Sequence, residues 1–203
     1  MLIALTVASA AAQGAIIIDF DEDTVGTSPE GFFFAAARQA SPGDWKVAGA
    51  ARRHLIHFAD PSVTLRGIAV AGVTAAAPAD VRVSTRLRLI DGDRAGGVFW
   101  RYRDANNFYF MAITHTDRAA RIFRVTGGNR ILLDAQADIN VDPDEWHTVV
   151  VIHEGDQIRA TIDGIGINRA RDAVLTEGGR AGVWSAGNST SWFDDIAIDH
   201  APQ

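Results

Sequence analysis

The stretch Asp80–Ile90 constrains this chain most. Val81, Val83, Thr85, Leu87 and Leu89 alternate with Arg82, Ser84, Arg86 and Arg88. A period of two is the mark of a β-strand with one buried and one polar face. A slip of one residue would bury three arginines, so the register of this strand is strongly set. A strand of that kind needs a sheet around it and a second layer over its apolar face.

The rest of the chain supplies such strands. Ala15–Phe20 is rich in β-branched residues and reads as the first. Short strands are expected at Trp45–Val47, His54–Phe58 and Val63–Val70. Ala95–Ile113, AGGVFWRYRDANNFYFMAI, reads as a hairpin turning at Asp104-Ala105-Asn106-Asn107. Strict alternation in its first arm points Val98, Trp100 and Tyr102 one way and Phe99, Arg101 and Arg103 the other. A second hairpin, 120–125 with 131–135, turns at Thr126-Gly127-Gly128-Asn129. Trp146–His153, Gln157–Ile162, Ala181–Ser185 and Ser191–Ile198 complete the set, with Gly155-Asp156 and Asp163-Gly164 as hairpin turns. Gly31–Asp44 is hard to place; its three phenylalanines should pack against the body of the fold. No amphipathic helix of ten residues is present, and the one helical candidate, Ala35–Ala40, is short. Many short strands with regular turn signals predict an all-β sandwich or jelly roll.

At 203 residues, 47% hydrophobic and 22% charged, the composition is that of an ordinary globular domain. A single domain over residues 13–203 is expected. The net charge of −6 argues against nucleic acid, which needs clustered positive charge. Absence of cysteine rules out disulfides and thiolate metal sites. Residues 1–12 read as a signal peptide: the apolar run Leu2–Val7 precedes Ala8-Ser9-Ala10 and Ala10-Ala11-Ala12, both of the A-x-A cleavage type. The alternative is a truncated start or an ordinary first strand. No later apolar run approaches the roughly 20 residues of a membrane span.

In order and spacing, AGGVFWRYRDANNFYF, RIFRVTGGNRILL, EWHTVVVIHEGDQIRATIDG and GRAGVWSAGNSTSWFDDIAI resemble the concanavalin A-like lectin/glucanase superfamily. Within it the chain is most similar to the laminin-G-like domains labelled 3-keto-disaccharide hydrolase or family 16 glycoside hydrolase-like. The resemblance covers about Asp80–Ile198. It implies a two-sheet antiparallel jelly-roll sandwich with first and last strands adjacent, a secreted or periplasmic setting, and carbohydrate as the ligand. It does not imply catalysis, because this superfold hosts lectins, adhesion modules and enzymes.

Members of the superfold that cleave glucans carry Glu-x-Asp-x-Glu or Glu-x-Asp-x-x-Glu on one strand. None of the five glutamates here, Glu22, Glu30, Glu145, Glu154 and Glu177, begins such a motif. A pair drawn from different strands stays open. The histidines offer no shared metal site: His147 and His153 lie six residues apart, about 20 Å along a strand. No nucleophile elbow or P-loop occurs.

Sugar recognition needs flat aromatic faces and planar polar groups. Trp100, Arg101, Tyr102, Asn107 and Tyr109 are of the right types, with Trp184, Arg82, Arg86 and Arg88 as further candidates. The same residues could instead fill a core, a turn and a solvated face. If the arginine row floors a groove, an acidic poly- or disaccharide is favoured. Near the C-terminus, Ile196 and Ile198 should face the core, and parity turns Trp192 and Asp194 the same way. A buried carboxylate needs a partner. One solution is a structural Ca²⁺ held by Asp21 and Asp194, of the kind seen in many carbohydrate-binding jelly rolls; the other is a bond to backbone amides or arginine. The expectation is thus an exported carbohydrate-binding or interaction module. The alternatives are a glycoside hydrolase acting on a disaccharide or glucan, and a structural or adhesion domain that binds protein.

Overall fold

The computed structural model describes residues 14–37, 41–60, 62 and 67–202. The signal peptide read over residues 1–12, and residues 63–66 of the strand expected at Val63–Val70, lie outside the described residues. Among those described there is no helix. The strands are β1 (Ile16–Ile18), β2 (Phe32–Ala37), β3 (Asp44–Ala48), β4 (His54–Phe58), β5 (Ile68–Val73), β6 (Val81–Asp91), β7 (Ala95–Asp104) and β8 (Asn107–Thr114). They continue with β9 (Ala119–Thr126), β10 (Asn129–Ala137), β11 (His147–Glu154), β12 (Gln157–Ile162), β13 (Ile165–Arg171), β14 (Arg180–Ala186) and β15 (Thr190–His200).

They form two antiparallel sheets. One runs β13-β12-β11-β6-β15-β4-β3, with β1 also paired to β15; the other runs β10-β9-β8-β7-β14-β5-β2. The first strand therefore lies against the last, Ile16 opposite Ile198 and Ile18 opposite Ile196. This is the jelly-roll sandwich that the alternating sequence predicts. β6 shows why: Val81, Val83, Thr85, Leu87 and Leu89 are buried between the sheets, while Arg82, Arg86 and Arg88 lie on the outer face. Facing them from the other layer are Val98, Trp100, Met111 and Val183. The tight connections use residues that tolerate left-handed backbone. Asp163-Gly164 has φ of +50° and +78°, the pair of positive values that a two-residue hairpin turn requires.

Three local expectations change. Phe32–Ala37 is a strand paired with β5, where a loop with a short helix was expected. It carries apolar residues on both faces, Phe32 and Phe34 against the inter-sheet core and Phe33 on the outer side, so no polar alternation announces it. The Asp163-Gly164 hairpin turn leads into β13, an edge strand to which the sequence assigns no range; its residues are mostly exposed, which erases the two-period signal. Parity also breaks at two bulges. Against β14 one extra residue of β7 enters at Arg101 (φ +46°), and against β6 one of β15 enters at Asp195 (φ +48°). A bulge moves every later side chain to the opposite face.

The edge strands β10 and β13 meet across the gap between the sheets. Asp134 of β10 accepts from Asn168 Nδ2 (2.8 Å) and from the backbone N–H of Arg169 (3.1 Å), both in β13. This carboxylate latches one sheet to the other along that side.

Candidate functional site: an aromatic groove on the seven-stranded sheet

The β7–β8 hairpin sends different chemistry to its two sides. Inward, Trp100 Nε1 donates to His153 Nδ1 (2.9 Å), Tyr109 Oη donates to Asp172 Oδ1 (2.5 Å), and Asp172 also pairs with Arg124. The bulge turns Arg101 inward as well, leaving it 1% exposed. Its guanidinium donates to the carbonyls of Ala79 (2.8 Å), Leu175 (2.8 Å) and Gly155 (3.2 Å). Burial, reinforced by the Arg101 charge, pushes His153 down to about 4, so it is neutral at pH 7. Burial, with the Asp172 bond, pushes the Tyr109 phenol up to about 12.

Three residues singled out for their sugar-gripping chemistry, Trp100, Arg101 and Tyr109, are thus spent on internal bonds. Asn107 holds the hairpin turn, donating from Nδ2 to Asp104 Oδ1 (3.0 Å) and accepting from Gly127 N–H (3.1 Å). Past the bulge, Tyr102 turns to the outer face, away from Trp100, and packs on Phe33, Phe99 and Phe108.

That outer face is apolar. Phe99, Phe108, Phe110, Phe123, Val125 and Trp184 are buried there as a second hydrophobic cluster. Phe110 stacks on Phe123 (centroids 5.0 Å, 20°) and meets Trp184 edge-on (5.3 Å, 80°). Trp184 donates from Nε1 to the Met111 carbonyl (2.8 Å). A Cβ at Gly97 would stand 2.1 Å from that carbonyl oxygen and 3.1 Å from the indole nitrogen, so only glycine lets the ring lie across β7.

A groove of about 410 Å³ opens over these rings, within the range of small-ligand sites. Its floor is Phe110, Phe123 and Trp184 with the small Ala95, Ala112 and Ala186. Its walls carry two acids, Asp93 and Asp117, and two cations, Arg121 and Arg130. Arg121 Nη1 donates to Asp117 Oδ2 (2.9 Å), and the Arg130 guanidinium lies 4.6 Å from the centroid of the Phe123 ring. Leu132, 52% exposed, completes the β10 side. Of the nine ligand candidates named from sequence, Trp184 lines this groove. Phe110, Phe123, Arg121 and Arg130 line it too and are not among those candidates. The one sequence signal, and for Phe110 alone, is that β8 is apolar at successive positions, which in a two-layer fold demands cover on both faces.

Arg82, Arg86 and Arg88 lie on the outside of the other sheet. Arg86 and Arg88 sit over Trp146 (4.8 Å) and Trp192 (5.2 Å), and Arg82 donates to Ser84 Oγ (3.1 Å). The β15 bulge puts Trp192 on this outer face, apart from Ile196 and Ile198. Asp194 is fully buried. It faces His54 Nδ1 (3.2 Å), Arg52 (3.5 Å) and Arg86 (3.6 Å). Burial raises its carboxyl, opposed by the Asp195 N–H, His54 and Arg52. Asp21 Oδ1 accepts from Arg53 N–H (3.0 Å). Asp194 thus lies beside two guanidiniums and an imidazole, and among the described residues no group of three or more Asp, Glu, His or Cys is placed to hold a metal.

No family model and no curated protein matches the chain. Solved structures do. Carbohydrate binding module CBM66 from Bacillus subtilis superposes with TM-score 0.64 at 18% identity, over 83% of this chain and 95% of that one. A Bacillus subtilis protein of unknown function with a galectin-like fold gives 0.65 at 13%, over 93% and 97%. Bacillus licheniformis β-glucanase gives 0.62 at 11%, over 92% and 98%. The fold is the concanavalin A-like jelly roll.

Proposed function

We propose that this chain is a carbohydrate-binding module and that a neutral saccharide lies in the groove over Phe110, Phe123 and Trp184. The observation that carries this reading is the pairing of an aromatic floor with a balanced polar rim of two aspartates and two arginines. Carboxylates accept from sugar hydroxyls and guanidiniums donate to them, while the closely packed rings beneath, at most 7% exposed, form a dry apolar base for the groove. Equal numbers of opposite charges favour a neutral ligand over an acidic one. The arginine row that suggested an acidic polysaccharide faces away, on the other sheet. The carbohydrate-binding neighbour supports the same class of ligand.

Binding is favoured over cleavage because the floor positions are Phe, Ala and Trp, while the two acids stand at the walls. The apolar start followed by A-x-A supports export to a secreted or periplasmic setting.

The test is calorimetric titration with neutral gluco-, galacto- and fructo-oligosaccharides and with oligouronates, with reducing ends assayed in parallel. Arg121→Ala combined with Asp93→Asn should weaken neutral-sugar binding at least tenfold, about 1.4 kcal/mol, with Tm held within about 2 °C. Unchanged affinity would remove the groove as the site. Preference for uronates would overturn the neutral ligand, and released reducing ends would make it a hydrolase.

A further inference from the structure

β15 is flanked on one edge by two short strands that leave a gap. β4 pairs with Ser191–Phe193 and β1 with Ile196–Ile198, so the bulge at Asp194-Asp195 falls between them. Beside it, the loop after β1 carries Asp19, Asp21 and Asp23. The β3–β4 connection sends two consecutive arginines into this acidic seam. Arg52 Nη2 lies 3.2 Å from Asp195 Oδ1 and 3.5 Å from Asp194 Oδ2. Arg53 Nη1 donates to the carbonyls of Asp21 (2.6 Å) and Asp23 (2.8 Å), and its own N–H donates to Asp21 Oδ1. The connection is tight: at Gly49 (φ +122°) a Cβ would stand 2.0 Å from the Arg52 carbonyl oxygen, so glycine there sets the path that presents both arginines.

We propose that Arg52 and Arg53 are the resident cations of this seam, in the place a calcium ion would take, and that the fold is stable without divalent metal. Calcium wants six to eight oxygens at about 2.3–2.6 Å. Here the two carbonyls that converge already share one guanidinium nitrogen, and the buried carboxylate of Asp194 is matched by Arg52, Arg86 and His54. A metal would have to expel Arg53 and then sit beside a second positive charge. The guanidinium also fits the task, since its fixed fork can reach several oxygens at once.

The experiment compares thermal melts of the wild-type chain after exhaustive chelation and in millimolar calcium, with calcium titrated calorimetrically. The expected result is one Tm in both conditions, within about 1 °C, and no heat of calcium binding. Arg53→Ala should lower Tm by about 3 °C or more in chelator. A Tm that drops on chelation of the wild type, a wild-type calcium Kd below millimolar, or an Arg53→Ala chain that melts like wild type would each overturn the proposal. If Arg53→Ala does not fold, the wild-type chelation and titration decide, with Arg53→Lys as the milder variant.

Discussion

The two faces of the β7–β8 hairpin contrast with each other. The face turned into the sandwich carries polar tips, on Trp100, Arg101 and Tyr109, all consumed by His153, Asp172 and backbone carbonyls. The face turned away from the other sheet carries Phe99, Phe108 and Phe110, with no second sheet above them. A two-layer sandwich ordinarily does the reverse, apolar in and polar out. The difference teaches that residue type is a poor guide to a ligand site. Groups able to grip a sugar are here bound internally, whereas the apolar outward face is closed by its own neighbours, Phe33, Tyr102, Phe123 and Trp184, and leaves a groove where that cover ends.

The contrast predicts that inward substitutions cost stability and outward ones cost binding. Arg101→Met should have the largest effect. It strips the donors from three carbonyls in a buried setting, and unsatisfied groups of that kind cost about 1–3 kcal/mol each. Urea unfolding should show a loss of about 3 kcal/mol or more, while saccharide affinity of the folded chain stays within twofold. An affinity loss matching the stability loss would break the comparison.

Next comes acid. His153 titrates at about 4 when folded and near 6.5 when unfolded. The unfolded chain therefore binds the proton first. The stability contributed by this neutral histidine is fully present above pH 6.5 and is lost as pH falls toward 4, by about 3 kcal/mol in all. Chemical denaturation at pH 7 and pH 4 should show the loss, and His153→Gln should flatten it. An unchanged acid limb in that variant would locate the sensitivity elsewhere. Smallest is Leu132→Ser at the groove wall. Tm should move by about 1 °C or less, since the side chain is half exposed already, while sugar affinity falls severalfold. A change in Tm without a change in affinity would place Leu132 with the inward set.

Much of this was legible in the chain. β6 announced its own register because one face is arginine and the other aliphatic, and Asp163-Gly164 and Gly127-Gly128 announced their turns by the backbone they permit. What escaped was parity beyond a bulge. Arg101 and Asp195 adopt left-handed backbone without being glycine, so no residue type marks where the alternation inverts, and strict alternation puts Arg101, Tyr102 and Trp192 on the wrong faces. β2 escaped because both its faces are apolar. The groove has a different reason: its parts come from the loops before β7 and β9 and from β5, β7, β8, β9, β10 and β14, brought together only by sheet order.

The Asp134 latch has a further bearing, on what the molecule does in company. An edge strand offers unpaired amides to any extended peptide that drifts past, which is how sheets recruit one another into aggregates. By taking the Arg169 amide for itself, and by lying at the bulge that interrupts β10 between Leu132 and Asp134, this carboxylate spoils two templates together. The chain thus gains protection against edge-to-edge association from a residue that lies outside the groove.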